Sequence, residues 1–327
     1  MTVARQSFYQ QIAQNKRRSW LLMILLSLIL VVLGAVIGYA ISGSATGAGA
    51  AVVGALILSV VLSAGAWFGG DGLVLAASQA RQVGPDEAPQ LINVVQEMSL
   101  AAGVPMPKVY IINDSAPNAF ATGRDPQHAS VAVTSGLLDK LDREELQGVL
   151  GHEMSHVRNY DIRFTLLVGV LVGSIALLAD MFLRFTMWGG GRRSRSRDDS
   201  SGGLQAVLMI VGLVLAILAP FFARMVQMAV SRQREYLADA SSVELTRNPI
   251  GLERALATIS ADTEPLEVAN RATQHLYIVN PIKKLDDRSN GLFSTHPPIL
   301  DRIDRLRALS GEPPLDSASA QGLAGLD

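Results

Sequence analysis

The chain has 327 residues, of which 49% are hydrophobic and 17% charged, and its mean hydropathy is +0.28. Soluble domains carry about 25% charged residues, so this balance excludes an ordinary soluble protein. The net charge of −1 offers no basic excess for nucleic-acid binding, and the absence of cysteine excludes disulfides and thiolate metal ligands. A metal would therefore need His, Asp or Glu ligands, and the chain has five histidines.

Two apolar stretches follow a short basic segment at the N-terminus. Residues 19–70 contain no charged side chain, and a Ser/Gly/Ala-rich turn at 42–50 divides them into two runs, each long enough to cross a membrane as a helix of about 20 residues. A cleaved signal peptide has a shorter apolar core and no second span directly after it. We therefore predict an N-terminal segment at 1–18 and two transmembrane helices at 19–70. The basic residues Lys16–Arg18 then place that segment, and the chain after the second span, in the cytoplasm.

A second apolar hairpin is predicted at 164–223, with a Gly/Ser/Arg-rich linker at 189–203 between its two segments. The first segment contains Asp180, which is costly in lipid unless it faces protein or water, and the second contains Pro220. Both segments have the length of transmembrane helices, but spanning would put the Arg-rich linker outside, against the positive-inside rule. The sequence therefore also permits a hairpin that lies in the interface or packs on the protein.

Residues 71–163 have the mixed pattern of the first part of a small α+β domain. The spacing of apolar residues predicts a helix within 85–104, strands at 108–113 and 129–134, and a short strand or loop at 118–123. This order of a helix, two or three strands and a further helix indicates a small sheet packed against helices.

The next predicted helix carries the stretch GHEMSHVRNYD at 151–161. Asp142 fits its N-cap, and Glu145 three residues later completes a capping box. Its buried stripe consists of apolar residues at helical spacing, namely Leu146, Val149, Leu150, Met154 and Val157. The helix is therefore predicted to bury one face in the domain core.

The second part of this domain is predicted at 224–309, beyond the hairpin. A helix begins at Val230, a break at Pro249 separates it from the next helix, and residues 261–294 are poorly patterned and predicted to be rich in loops. The Ser/Ala/Gly-rich tail at 310–327 is predicted to be disordered.

His152 and His156 lie four residues apart, so on a helix they occupy one face, one turn apart. Both imidazoles can then reach one ion at Zn–N distances of about 2.0–2.1 Å. Glu153 lies beside the first histidine and can reach a water molecule at the metal, from which it would take a proton as general base. The alternative is a surface helix with two chance histidines, which is weakened because both lie together, to the side of the apolar stripe.

A catalytic zinc has three protein ligands and one open position, so a third ligand is expected elsewhere. The stretch SRQREYLADA at 231–240 offers Glu235 and Asp239, again one helical turn apart. We predict that Glu235 is the third ligand and that Asp239 accepts a hydrogen bond from the far ring nitrogen of His152. Considered alone, this pair is better explained as part of a solvated charged face, and the histidine pair upstream is what favours ligation. Since His156 and Glu235 must meet at one ion, the two segments of the hairpin span the membrane together or not at all.

Four stretches together resemble the HtpX-type membrane zinc metalloproteases, bacterial relatives of the CAAX-prenyl proteases in the gluzincin clan. They are GHEMSH at 151–156, SRQREYLADA at 231–240, NAFATG at 118–123 and THPP at 295–298. The resemblance covers most of the chain. It implies a mainly α membrane protein, in which transmembrane helices accompany an α+β, zincin-like metalloprotease domain with a small sheet and an HExxH helix.

The resemblance also implies roles for individual residues. One zinc ion would be held by His152, His156 and Glu235. Glu153 would be the general base. An active-site edge strand, on which substrate pairs in extended form, would include Asn118, Ala119 and Phe120.

The THPP stretch supplies two further expectations. His296 matches a histidine that steadies the oxyanion, and Arg302, six residues later, matches an arginine near the same site. Both are expected to be catalytic, as a pair that stabilises the oxyanion. The two remaining histidines, His128 and His275, match no functional position and are expected to be ordinary polar residues.

The function implied by the resemblance is proteolysis at the bacterial inner membrane, with the active site facing the cytoplasm. The substrates would be misfolded or unfolded membrane proteins, degraded as stress-linked quality control, and the protease would tend to cleave itself. One alternative is a non-catalytic zinc-binding membrane adaptor, but a structural site usually closes its fourth position with cysteine, which is absent. Another is a transporter that uses Asp180, which has thin support because the first two spans carry no ionisable residue.

Overall fold

The structure, a computed structural model, describes residues 8–188, 201–268, 276–279 and 296–315. Its α-helices, in chain order, are α1 (Phe8–Ser42), α2 (Ala45–Ala77), α3 (Pro89–Ala102), α4 (Ser135–Lys140), α5 (Arg143–Arg158), α6 (Asp161–Trp188), α7 (Ser201–Thr246), α8 (Pro249–Ala261) and α9 (Ile299–Ser310). Its strands are β1 (Arg81–Gln82), β2 (Lys108–Ile112), β3 (Ala119–Gly123) and β4 (Ala129–Thr134).

These residues form two compact units. The first, here called the sheet unit, comprises the described residues within 1–15, 68–165 and 228–327. The second, here called the helix unit, comprises those within 16–67 and 166–227.

The helix unit is built from long apolar helices whose large side chains are often exposed. Exposed examples that are more than half accessible include Val53, Ile57, Val60, Val61 and Ile217. Among the described residues, four helical segments are long and apolar enough to cross a membrane, namely Trp20–Ser42, Ala45–Ala77, Asp161–Met187 and Ala206–Thr246. An exposed apolar surface of this extent is typical of a protein surrounded by lipid.

The turn between the first two helices is shorter than the predicted turn at 42–50. Only Gly43 and Ser44 interrupt the helices, and Gly43 has a φ of 68°, which favours glycine. The hydroxyl of Ser44 accepts a hydrogen bond from the backbone N–H of Gly47 at 3.1 Å and thus caps α2. Residues 45–50 are helical because alanine, the strongest helix former, recurs among their glycines.

The helix α7 is longer than predicted. We expected an apolar segment ending at Ala223 and a separate helix from Val230, but one helix continues through both, with Pro220 inside it. Proline removes one hydrogen bond of the helical ladder, and long apolar helices tolerate this loss where neighbouring groups compensate for it. The N-terminal helix is also longer, since α1 begins at Phe8, within the segment predicted at 1–18.

The sheet unit contains a four-stranded sheet in the order β1-β2-β4-β3. The strands β2 and β4 are parallel, while β1 and β3 run antiparallel to their neighbours. The predicted strands are confirmed as β2 and β4, and the segment predicted as a strand or loop is the strand β3. Because β3 lies at the end of this order, one side of its backbone is not used by the sheet.

Helices α3, α5, α8 and α9 pack with the sheet around one core. Residues at its centre, all less than 2% exposed, include Leu91, Val95, Val131, Val149, Leu252 and Leu306. Helices α5 and α8 cross closely: a Cβ on Gly148 would lie 2.5 Å from the backbone nitrogen of Leu252, and one on Gly251 would lie 2.6 Å from the carbonyl oxygen of Glu144. This crossing fixes the position of α5 one turn before His152.

The predicted N-terminus of α5 is confirmed. The Asp142 carboxylate accepts from the Glu145 backbone N–H at 2.9 Å, and the Glu145 carboxylate accepts from the Asp142 N–H at 2.9 Å. The predicted apolar stripe of the helix is buried throughout.

The predicted tail begins at the end of α9. The backbone N–H of Leu315 donates to Asp304, so the first residues after the helix pack back against it. Residues 316–327 lie outside the described residues, as does most of the segment at 261–294 that was predicted to be rich in loops.

Candidate metal centre

Helix α5 directs both of its histidines toward one point, as the spacing predicts. The Nε2 atoms of His152 and His156 lie 3.1 Å apart. The rings are nearly perpendicular, at 88°. His152 is fully buried, whereas His156 is partly accessible.

Glu235 of α7 completes the group. Its Oε2 lies 3.6 Å from Nε2 of His152, and its Oε1 lies 3.5 Å from Nε2 of His156. One ligand atom from each of the three residues can be chosen so that all lie within 4.8 Å of one another. The structure thus brings together the three predicted ligands.

These three residues fit a bound metal ion. Two imidazole nitrogens and a carboxylate oxygen form a donor set that zinc accepts in catalytic sites. The Oε2 atom of Glu235 is buried, and within the part of the chain that the structure describes it makes ion-pair contacts with His296 and Arg302 at 3.3 and 3.5 Å but no hydrogen bond. A buried carboxylate oxygen without a hydrogen-bond donor is costly in a folded protein, and a cation would satisfy it.

The side of His152 that faces away from this point is held by two further residues. Its Nδ1 lies 2.9 Å from Oδ1 of Asp239, as predicted. Asp239 in turn accepts two hydrogen bonds from Arg302, at 2.7 and 2.9 Å. Arg302 is fully buried, and burial alone would lower its pKa, but the Asp239 carboxylate outweighs this effect and raises the pKa above its usual value. The result is a His–Asp–Arg chain whose charges are all paired.

Glu153 is buried beside the histidines. Burial raises the pKa of its carboxyl group above the usual value, while the neighbouring His152 and His156 oppose this effect. The backbone of Ala121 on β3 also opposes the rise in the pKa of this carboxyl group. The predicted base therefore lies between the histidines and the edge strand.

His296 is buried, and its Nδ1 lies 3.3 Å from Oε2 of Glu235. Arg302, the other residue of the predicted oxyanion pair, directs its guanidinium inward. Besides its bonds to Asp239, it donates through Nη1 to the carbonyl oxygen of Ile278 at 2.8 Å. Nη1 of Arg302 also lies 3.5 Å from Oε2 of Glu235, so both residues adjoin the third ligand.

The three residues predicted to bind substrate are buried on or next to β3. The Asn118 side chain donates to the carbonyl oxygen of Val279 at 3.0 Å, and the carbonyl oxygen of Ala119 accepts from the N–H of Ile278 at 3.0 Å. The Phe120 ring packs edge-to-face on another aromatic ring of the same unit. The N-terminal half of the β3 edge is therefore paired with a segment of the chain itself, which no pattern in the sequence indicated.

Two further residues of the site, Asp161 and Arg234, were not predicted from the sequence. Asp161 begins α6, and its Oδ2 accepts from Nδ1 of His156 at 3.1 Å. Arg234 lies next to the third ligand in the sequence, and its Nε is 3.4 Å from Oδ1 of Asp161. The signal for Asp161 was its place five residues after His156, just beyond the helix end.

Neither of the two remaining histidines is part of this group within the described residues. His128 is exposed and pairs with Asp125 at 2.7 Å. His275 lies outside the described residues.

Comparisons with known proteins identify the family of the chain. The model of peptidase family M48 matches residues 85–310. A "Protease HtpX homolog" of Streptococcus uberis is 48% identical over 300 residues, which cover 91% of this chain and 99% of the relative. A second "Protease HtpX homolog", from Caldanaerobacter subterraneus subsp. tengcongensis, is 43% identical and covers 94% of this chain and 100% of the relative.

A solved structure, the crystal structure of S. mikatae Ste24p, is also similar, with a TM-score of 0.48 and 18% identity, over 77% of this chain and 57% of that chain. The fold and the metal-ligand group define a membrane metallopeptidase. On the family model and the relatives, the chain belongs to peptidase family M48.

Proposed function

We propose that this protein is a zinc-dependent endopeptidase that degrades misfolded or unfolded membrane proteins at the cytoplasmic face of the bacterial inner membrane. The observation that carries the proposal is the group formed by His152, His156 and Glu235, with the buried Glu153 beside it. When bound there, a zinc ion polarises a peptide carbonyl group and lowers the pKa of a water molecule.

Glu153 is the proposed base. Its carboxylate takes a proton from the attacking water and later passes it to the leaving amine. Its burial favours this exchange, because a pKa raised toward neutrality matches a group that must accept and release a proton.

His296 is the proposed oxyanion stabiliser, since its ring adjoins Glu235. For Arg302 the contacts support a different role from the one the resemblance implies. Its guanidinium donates to Asp239 and to the carbonyl oxygen of Ile278, and its Nη1 lies 3.5 Å from Oε2 of Glu235. We propose that it holds Asp239, and through it His152, in place.

The substrate chain is proposed to pair with β3 in extended form. The segment from Ala121 to Gly123 is favoured as the first point of contact, because Glu153 adjoins Ala121 and because Ile278 already pairs with Ala119. Pairing of this kind recognises main-chain groups, so we expect broad sequence tolerance and a preference for unfolded segments, including self-cleavage in exposed loops.

The cytoplasmic orientation rests on the basic residues Lys16–Arg18 before the first span and on the uncharged turn at Gly43 and Ser44. The chain has no cysteine, which allows a direct test. A single cysteine at Thr46 in intact cells should react with a membrane-impermeant thiol reagent, whereas one at the exposed Gln127 should react only after lysis. The reverse pattern would refute the orientation.

The adaptor alternative predicts zinc binding without turnover, and one experiment separates the two functions. Wild-type protein and the Glu153→Gln variant are purified in detergent with a chelator, zinc is restored, and cleavage of an unfolded protein is followed. We expect cleavage by the wild type only with zinc, a loss of roughly 10²–10⁴-fold in the variant, and equal zinc binding by both. Equal zinc binding with cleavage by neither would favour the adaptor.

A further inference from the structure

The connection between α5 and α6 is unusually tight. Helix α5 ends at Arg158, Asn159 caps it, and α6 already begins at Asp161. The residue between them, Tyr160, has a φ of 61°, an uncommon conformation for a residue with a large side chain. Such outliers persist where the surrounding structure requires them, and they concentrate at functional sites.

This turn brings the Asp161 carboxylate back onto the second ligand histidine. Nδ1 of His156 donates to Oδ2 of Asp161 at 3.1 Å. A carboxylate accepts only, so the proton of the neutral ring stays on Nδ1, and the lone pair of Nε2 faces His152 and Glu235. Asp161 thus sets both the tautomer and the orientation that ligation by Nε2 requires.

The other side of Asp161 is held from α7. The Nε of Arg234 lies 3.4 Å from Oδ1 of Asp161, and its Nη1 donates to the backbone carbonyl of Asp161 at 3.2 Å. The guanidinium also stacks on Phe164, 4.7 Å from the ring centroid. All these side chains are buried, and Arg234 directly precedes the third ligand, Glu235. One contact therefore ties the helix of the third ligand to the residue that orients the second.

The arrangement repeats the one around the first histidine. There, His152 bonds to Asp239, which is held by Arg302. Each ligand histidine thus contacts an aspartate, and that aspartate contacts a buried arginine. The two sets of contacts use residues from different parts of the sequence. A helix-capping role for Asp161 would explain its place at the start of α6 but not the engagement of both carboxylate oxygens by His156 and Arg234.

We propose that Asp161 and Arg234 are positioning residues, which hold His156 and Glu235 in the relative arrangement that binds the metal. The proposal rests on the proposed ligand set. It predicts that Asp161 contributes directly to zinc affinity and that Arg234 contributes through Asp161.

The test measures zinc affinity, not turnover. Full-length protein carrying Glu153→Gln, to prevent self-cleavage, is kept in detergent, and zinc dissociation constants are obtained by competition with a fluorescent chelator. Measurements are made below the thermal midpoint of each metal-free variant, so only folded protein is compared. We expect Asp161→Asn, which keeps an acceptor but loses the charge, to raise Kd about 10-fold, and Asp161→Ala to raise it about 100-fold.

A double-variant cycle tests the role of Arg234. Arg234→Gln should raise Kd several-fold when Asp161 is present and should add nothing in the Asp161→Ala background, because its effect passes through that carboxylate. Asp125→Asn is the matched control, since Asp125 bonds to Nδ1 of the exposed His128 away from the site. It should leave Kd unchanged.

The proposal would be overturned if the zinc affinities of Asp161→Asn and Asp161→Ala were within two-fold of the parent. If Asp161→Ala does not fold, the isosteric Asp161→Asn variant alone decides. Additive effects of Arg234→Gln and Asp161→Ala would refute the indirect role of Arg234. A failure of the ligand set itself is recognised separately, because then His156→Ala would not weaken zinc binding at all.

Discussion

The sheet unit and the helix unit differ in which side chains they bury and which they expose. The sheet unit buries charged side chains in contact with opposite charges, as in the pair formed by Asp239 and Arg302. In the helix unit, large apolar side chains are exposed, and Asp180 and Arg184 form an accessible pair one helical turn apart at 2.7 Å. Removing one partner from a buried charged pair is costly, whereas an accessible pair contributes little. Substitutions of similar size should therefore be far more damaging in the sheet unit.

The largest expected effect comes from Arg302→Met. It leaves the Asp239 carboxylate buried without its guanidinium partner, so we expect a loss of roughly 3–5 kcal/mol in the free energy of unfolding. Thermal unfolding of the metal-free protein in detergent measures this as a drop of about 10 °C in the midpoint.

Arg302→Lys is the matched control for that substitution. Lysine keeps the charge but not the two-pronged donor that engages both oxygens of Asp239, so its midpoint should lie between those of the wild type and Arg302→Met. A midpoint for Arg302→Met within about 2 °C of the wild type would contradict the view that the sheet unit depends on paired buried charge.

A pair of glycine substitutions, one in each unit, tests the comparison with effects of intermediate size on the free energy of unfolding. Gly148→Ala in α5 would place a methyl group against the backbone of Leu252, and we expect a cost of about 1–3 kcal/mol. Gly173→Ala in α6 meets no atom within 4 Å, so the change should stay below about 1 kcal/mol and favour the helix. Equal thermal midpoints for the two variants would show that the crossing of α5 and α8 is not tightly packed.

The smallest effect is expected for Asp180→Asn. The substitution breaks the accessible pair with Arg184, and the thermal midpoint should stay within about 1 °C of the wild type, with cleavage of an unfolded protein unchanged. A marked loss of cleavage, or of ion flux in proteoliposomes, would show that Asp180 has a functional role and is not only part of an accessible pair.

The parts of the site that follow from short-range rules could be predicted. The spacing of His152 and His156, and of Glu235 and Asp239, places each pair on one helix face, and these positions need no knowledge of the rest of the fold. The capping box of α5 is local in the same way. The meeting of the two pairs was predictable only because the chemistry of a three-ligand site required it.

Other features depend on contacts between distant residues or on a single backbone conformation. The contact of Asp161 with His156 requires the left-handed conformation of Tyr160, which no propensity favours. The pairing of Ile278 with Ala119 joins segments that are far apart in the sequence and are not linked by any periodic pattern. The uninterrupted α7 was missed because the composition changes from apolar to mixed after Ala223, although the helix continues through that change.

The placement of the ligands along the chain has a consequence for biogenesis. His156 precedes the apolar hairpin and Glu235 follows it, so the ribosome completes the donor set only after both apolar segments have been made. A nascent chain that does not yet include Glu235 therefore lacks the third ligand and has an incomplete metal site. Synthesis of the whole hairpin therefore precedes any metal-dependent cleavage by this protease.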